Sequence, residues 1–148
     1  MIPPAPDTST TLVLRYVFAA SRQRVFRAWI EPKALEHWLR PRGMGMTVSQ
    51  LEARAGGSFC FELEDGSAIV GTYLQIIPPE KLVFTWSGRA LRDHETVVTL
   101  DFLDQGPVTE VVLTHERLDT PERRAFAGSG WQSLLDALAE VVSSDLDF

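Results

Sequence analysis

The chain has 148 residues, of which 45% are apolar, and this is enough for one domain with a sizeable core. Its net charge of −6 disfavours nucleic acid as a partner, because phosphate binding requires a concentrated basic surface. No apolar run approaches the roughly 18 residues that a membrane span requires. Cys60 is the only cysteine, so an intrachain disulfide is excluded and a cytoplasmic location is predicted.

The N-terminal part of the chain predicts a lead, a strand and two short helices. Residues 1–10 are rich in proline and hydroxyl residues and predict a disordered lead, which leaves residues 11–148 as a single domain. Apolar residues alternate over Leu12–Phe18, as in a half-buried strand. Ser21 is a good N-cap for a first short helix. Pro32 suits the start of a second helix, which Pro41 should end.

Six further strands are predicted after these helices. Their ranges are Met46–Ala53, Ser58–Glu64, Ser67–Ile77, Lys81–Ser87, Glu95–Leu103 and Val108–Arg117. Between them lie residues typical of turns, above all Pro78-Pro79, because two consecutive prolines cannot continue a central strand. A meander of antiparallel strands is the simplest arrangement of such a series.

A long helix is predicted to close the chain, over Thr120–Ser143. Thr120 and Pro121 provide an N-cap and a first-turn proline, and an apolar stripe follows at helical spacing. Gly128 and Gly130 lie inside it, and each should weaken the helix by about 1 kcal/mol relative to alanine. The helix is therefore expected to bend there or to be approached closely by the backbone of another segment.

Five segments in order resemble the heat-shock-protein-90 ATPase activator homologue-like family of the START-like (SRPBCC) helix-grip superfamily. They are LVLRYVFAASRQRVFRAWIEPKALEHWLRP, GGSFCFELEDG, GTYLQIIPPEKLVFTW, VVTLDFLDQGPVTEVVLTHERL and GWQSLLDALAEVV. The resemblance extends from Leu12 to about Val142. It implies an α+β fold in which a curved antiparallel sheet wraps around the long C-terminal helix, with two short helices after the first strand. It also implies a cavity between the sheet and that helix.

Strand parity indicates which residues would line such a cavity. Alternate apolar residues of three strands share one face, whereas the intervening Cys60, Glu62, Thr85, Thr99 and Asp101 should face outwards. The candidate ligand-binding residues are Trp29, Trp38, Phe61, Tyr73, Phe84, Trp86, His115, Trp131 and Leu135. Aromatic residues at such spacings also serve as ordinary core packing, and that alternative stays open.

His115 shares the apolar face of the last strand with Val111 and Leu113. A neutral imidazole there could donate or accept one oriented hydrogen bond to a ligand. The alternative is a core histidine that is bonded to a neighbouring backbone carbonyl or to a tyrosine.

Basic residues are concentrated in one part of this acidic chain. Residues 15–54 contain eight Lys/Arg and three acids, a local net charge of +5. This segment could form a basic rim that attracts anionic ligands or an acidic partner. Solvated faces of helices and loops would account for the same pattern.

Catalytic motifs are absent from the sequence, and no catalytic residue, metal or cofactor is predicted. Three functions remain. The first is a binding protein for a small apolar or aromatic ligand in an internal cavity. The second is a cyclase- or hydrolase-like enzyme that acts on such a ligand, and the third is a co-chaperone-like interaction module. The predicted partner is a small hydrophobic ligand, not nucleic acid or membrane, and a homodimer is left open.

Overall fold

The computed structural model describes residues 10–91, 94–145 and 147–148. Within them the chain forms seven strands and three α-helices. In chain order these are β1 (Leu12–Phe18), α1 (Arg22–Ala28), α2 (Pro32–Trp38), β2 (Met46–Leu51), β3 (Ser58–Leu63), β4 (Ala68–Ile77), β5 (Lys81–Trp86), β6 (Thr96–Gln105), β7 (Val108–Glu116) and α3 (Pro121–Ser143). The predicted N-terminal lead, apart from Thr10, lies outside the described residues.

All seven strands form one antiparallel sheet in the order β1-β7-β6-β5-β4-β3-β2. The strands from β2 to β7 are a simple meander, and β1 closes the row by pairing with β7 from Leu12↔His115 to Phe18↔Thr109. Buried apolar residues from one face of this sheet and from the three helices make up the core. The predicted α+β helix-grip architecture is confirmed.

The capping and turn residues that the sequence predicts lie at the ends of the helices and strands, as expected. Ser21 and Thr120 are the N-caps of α1 and α3, and their side chains accept hydrogen bonds from the backbone N–H groups of Arg24 and Arg123. The Pro78-Pro79 pair lies in the turn between β4 and β5. Element boundaries are therefore set mainly by caps and by residues that cannot continue a strand.

Thr85 departs from the strand-parity prediction, which placed it on the outer face. It is buried, and its hydroxyl accepts a hydrogen bond from the backbone N–H of Thr72 at 2.8 Å. The β4–β5 pairing is irregular between Tyr73 and Gln75. The expectation of an exposed Thr85 is wrong, because the residue is buried and its hydroxyl is engaged by the backbone of β4.

Helix α3 is fixed to the rest of the chain by hydrogen bonds near its centre and its end. The Tyr16 hydroxyl on β1 donates to Asp136 Oδ1 at 2.7 Å, and this bond raises the pKa of Tyr16 to about 12. At the C-terminal end, the Arg24 guanidinium of α1 donates to the carbonyl oxygen of Val142 at 2.7 Å. These bonds hold α3 across the concave side of the sheet.

The two glycines of α3 have different surroundings. A Cβ at Gly128 would meet the side chain of Leu12 on β1, with Cδ1 at 3.4 Å. A Cβ at Gly130 would meet nothing within 4 Å. No backbone atom of another segment would lie within 4 Å of a Cβ at either glycine among the described residues, so the expected close approach of a backbone is not seen, and Gly130 borders open space.

In the described part of the chain, no helix has both the length and the apolar character that a bilayer crossing requires. The cytoplasmic location stays a prediction.

Candidate functional site

Aromatic rings fill the centre of the space between the sheet and the helices. The Phe61 and Trp86 ring centroids are 6.4 Å apart, and those of Trp86 and Trp131 are 5.1 Å apart. The void that the described residues enclose here measures about 10 Å³. Its walls are Trp29, Leu35, Leu39, Phe59, Phe61, Tyr73, Phe84 and Trp86. Such a void is about the size of one water molecule, so the cavity implied by the resemblance is not open at the centre.

Two polar groups beside this void lie in apolar surroundings. Trp29 Nε1–H is buried and has no hydrogen-bond partner among the described residues, whereas the Trp38 Nε1–H donates to the Ala28 carbonyl oxygen at 2.9 Å. Tyr73 is 2% exposed, and burial raises the pKa of its hydroxyl well above the ordinary value. Both side chains therefore belong to the core as the structure has it.

The open space lies to one side of this packed centre, as a cleft of about 880 Å³. We call it the α3 cleft. Helix α3 lines it with Phe126, Ala127, Ser129, Gly130, Trp131, Ser133, Leu134 and Ala137. Facing them are residues of the 3-10 turn Pro41–Gly43, of the β3–β4 turn and of the 3-10 turn Arg89–Leu91. The volume lies within the range of about 300–1,000 Å³ in which drug-sized ligands bind.

Trp86 and Trp131 separate the α3 cleft from the packed centre. Trp86 lines both the cleft and the central void, and its ring packs against that of Trp131. Trp131 is 3% exposed and also contacts the ring of Trp29 at a centroid distance of 6.0 Å. This pair of indoles therefore forms the inner wall of the cleft.

A chain of buried hydrogen bonds fixes this wall. Trp131 Nε1–H donates to His115 Nδ1 at 3.0 Å. Because Nδ1 accepts, the proton of the neutral imidazole lies on Nε2, which donates to Thr96 Oγ1 at 2.7 Å. The Thr96 hydroxyl in turn donates to the Trp86 carbonyl oxygen at 2.6 Å. The chain thus connects α3 through β7 and β6 to β5.

His115 is held as a neutral group in this chain. It is 1% exposed, and burial lowers its pKa from 6.5 to about 4. Protonation of Nδ1 would also place a second N–H group of His115 against the N–H donor of Trp131. Since both ring nitrogens already have partners, the arrangement favours a core histidine that positions Trp131.

The β3–β4 turn carries the one carboxylate among the described lining residues of the cleft. Asp65 accepts hydrogen bonds from the Ser67 hydroxyl and backbone N–H, and these bonds hold the pKa of Asp65 below its ordinary value. Arg89 reaches the other carboxylate oxygen at 3.7 Å. Asp65 therefore stays ionised and is engaged with neighbours on the protein.

The nine predicted ligand-binding residues fall into three groups. Those that line the α3 cleft are Trp38, Trp86, His115 and Trp131. Those around the central void are Trp29, Phe61, Tyr73 and Phe84, together with Trp86. Leu135 is buried in the core and lines neither space. Their role in binding stays a prediction.

Sequence reasoning missed most of the outer lining of the α3 cleft. Of the eight basic residues in segment 15–54, Arg40 and Arg42 line it. Arg89, Asp65 and Phe126 were not singled out. Phe126 could have been noticed, because it is an aromatic residue of the closing helix outside the apolar stripe. The loop residues Arg89 and Asp65 could not have been noticed in this way, because the convergence of the loops depends on the topology of the whole sheet.

The curved antiparallel sheet, the long closing helix and the cleft between them define an α+β protein of helix-grip type. Residues 19–143 match the family model described as "Activator of Hsp90 ATPase homolog 1-like protein", and the chain belongs to this family. No curated protein matches it.

Three solved structures illustrate the likeness. A protein from Chromobacterium violaceum is 29% identical, with a TM-score of 0.80 over 92% of this chain and 99% of its own. A protein from Rhodobacter sphaeroides is 24% identical, with a TM-score of 0.80 over 96% and 97%. An HSP90 activator from Plasmodium falciparum is 21% identical, with a TM-score of 0.73 over 90% and 96%. The last two show a shared fold.

Proposed function

We propose that this protein binds a small, largely apolar ligand in the α3 cleft. The observation that carries the proposal is the cleft itself, whose volume of about 880 Å³ suits a drug-sized molecule. Its walls combine indole and aliphatic surface with a few polar groups at the turns. Such a composition gives affinity through apolar burial and orientation through the polar groups.

The inner wall supports the proposal because it is already ordered. Trp131 is held by His115, and His115 is held by Thr96. A ligand that stacks on this wall contacts side chains that are already ordered. Less affinity is therefore lost to side-chain entropy on binding. The packed centre need not open for such a ligand to bind.

Filling the α3 cleft should abolish most of this binding. Ser133 and Gln132 are adjacent exposed residues of α3, but only Ser133 lines the cleft. We expect Ser133→Trp to weaken binding of the neutral apolar probe N-phenyl-1-naphthylamine by at least about tenfold, because the indole occupies the probe's space. Gln132→Trp is the matched control and should bind as the wild type does. Isothermal titration calorimetry measures both affinities without interference from the added tryptophan.

Two results would contradict the proposal. One is a wild-type protein that does not bind the neutral probe. The other is a folded Ser133→Trp variant that binds it as tightly as Gln132→Trp, since the probe would then occupy another surface.

A further inference from the structure

The described lining of the α3 cleft has more positive than negative side chains, on a protein that is negative as a whole. Its described lining includes three guanidinium groups, those of Arg40, Arg42 and Arg89, and one carboxylate, that of Asp65. The chain as a whole has a net charge of −6. A local excess of cations at the opening of an apolar cleft attracts anions that the rest of the surface repels.

The three arginines differ in their partners. Arg89 lies 3.7 Å from Asp65, and Arg40 donates weakly to the carbonyl oxygens of Met44 and Gly43, at 3.4 and 3.5 Å. Arg42 has no carboxylate within 4 Å among the described residues. Like Arg40, Arg42 forms no ion pair in the described part of the chain, and its charge acts on Asp65 only over a longer distance.

The Arg42 guanidinium lies over an aromatic ring at the same opening. Its Cζ is 5.7 Å from the ring centroid of Phe126, which is 48% exposed. A guanidinium over a ring keeps its N–H groups available at the edges, because a cation–π contact uses the face of the plane. Arg42 and Phe126 together offer a cationic group beside an apolar one.

The backbone at Arg42 is held in an unfavourable conformation. Its φ of 54° and ψ of 28° lie in the left-handed region, where a side chain costs about 1–2 kcal/mol. Gly43 follows with a φ of 74°. A residue other than glycine in this region is a reason to look for a role of its side chain.

We propose, building on the proposed function, that the ligand of the α3 cleft is an aromatic acid. Its ring system lies against the indoles of Trp86 and Trp131, and its anionic group accepts hydrogen bonds from Arg42. The acidic group stays at the opening, in contact with water, so it is not desolvated as a buried charge would be. A guanidinium binds carboxylate and sulfonate oxygens through paired N–H groups, which gives orientation as well as affinity.

A matched pair of probes tests this ligand class. Both 8-anilinonaphthalene-1-sulfonate and N-phenyl-1-naphthylamine carry the same ring system, and only the first has an anionic group. We expect the wild type to bind the anionic probe more tightly at low ionic strength, and added salt to remove most of the difference. Arg42→Gln should weaken the anionic probe about tenfold, as the loss of one charge-assisted hydrogen-bonding group predicts, and leave the neutral probe within twofold.

Two further variants control for the backbone and for charge in general. Arg42→Gly fits the left-handed conformation and removes the side chain, so it should reproduce the effect of Arg42→Gln. Arg15 is exposed on β1, pairs with Glu110 and does not line the cleft. Arg15→Gln removes one positive charge and should leave both probes unchanged.

The outcomes separate this inference from the proposed function. If the neutral probe binds but the anionic probe gains nothing from Arg42, the ligand class is wrong and the proposed function stands. Equal weakening of both probes in Arg42→Gln and Arg42→Gly would also overturn the inference, since the loop's shape rather than its charge would matter. Failure of the wild type to bind either probe contradicts both proposals.

Discussion

A fall in pH from 6.5 to about 4 should lower the free energy of unfolding by about 3 kcal/mol through His115 alone. Burial lowers the pKa of this imidazole from 6.5 to about 4, so the unfolded chain takes up the proton first. The neutral imidazole therefore makes its full contribution to stability above pH 6.5, and this contribution is lost as the pH falls towards 4. Urea unfolding at a series of pH values measures the loss.

His115→Gln is the matched variant for this measurement. Its amide can accept from Trp131 and donate to Thr96, but it does not titrate. We expect the variant to lose about 3 kcal/mol less than the wild type over the same pH range. Equal losses in the two proteins, or an NMR titration that places the pKa of His115 near 6.5, would contradict the buried neutral state.

Trp131→Ala should lower the free energy of unfolding by about 3–5 kcal/mol. The substitution removes an indole that is 3% exposed and contacts the rings of Trp29 and Trp86. It also leaves His115 Nδ1 buried without its donor. For a chain of this length, the loss corresponds to a fall in the melting temperature of about 10 °C or more, which calorimetry would detect.

Phe126→Ala is the control on the same helix. Phe126 is 48% exposed, and surface substitutions usually change stability by no more than about 0.5 kcal/mol. A Trp131→Ala protein that loses less than about 1 kcal/mol would mean that the inner wall of the α3 cleft is not the rigid structure described here.

The order of elements was predictable because local rules decide it. Ser21, Thr120 and the Pro78-Pro79 pair act within a few residues of themselves, so their effect can be read without the fold. The burial of His115 followed from strand alternation with Val111 and Leu113. Its partners did not follow, since Thr96 and Trp131 lie on other elements.

The location of the open space could not be predicted from strand parity. Parity places Phe61, Phe84 and Trp86 on one face, but it does not say whether their rings leave a gap or meet. In the structure they meet, and the cleft opens where Arg42 and Phe126 face each other at its edge. This arrangement depends on loops that are distant in sequence and on a left-handed residue that no composition rule singles out.

The most direct test of ligand binding in the α3 cleft is an isotope-filtered NOE experiment on labelled wild-type protein with bound N-phenyl-1-naphthylamine. We expect NOEs from the probe to the methyl groups of Ile69 and Ala137 and to the ring of Phe126, all of which line the cleft. NOEs confined to Val13 and Val17, which are 54% and 53% exposed on β1, would place the probe on the outer face of the sheet and contradict the account.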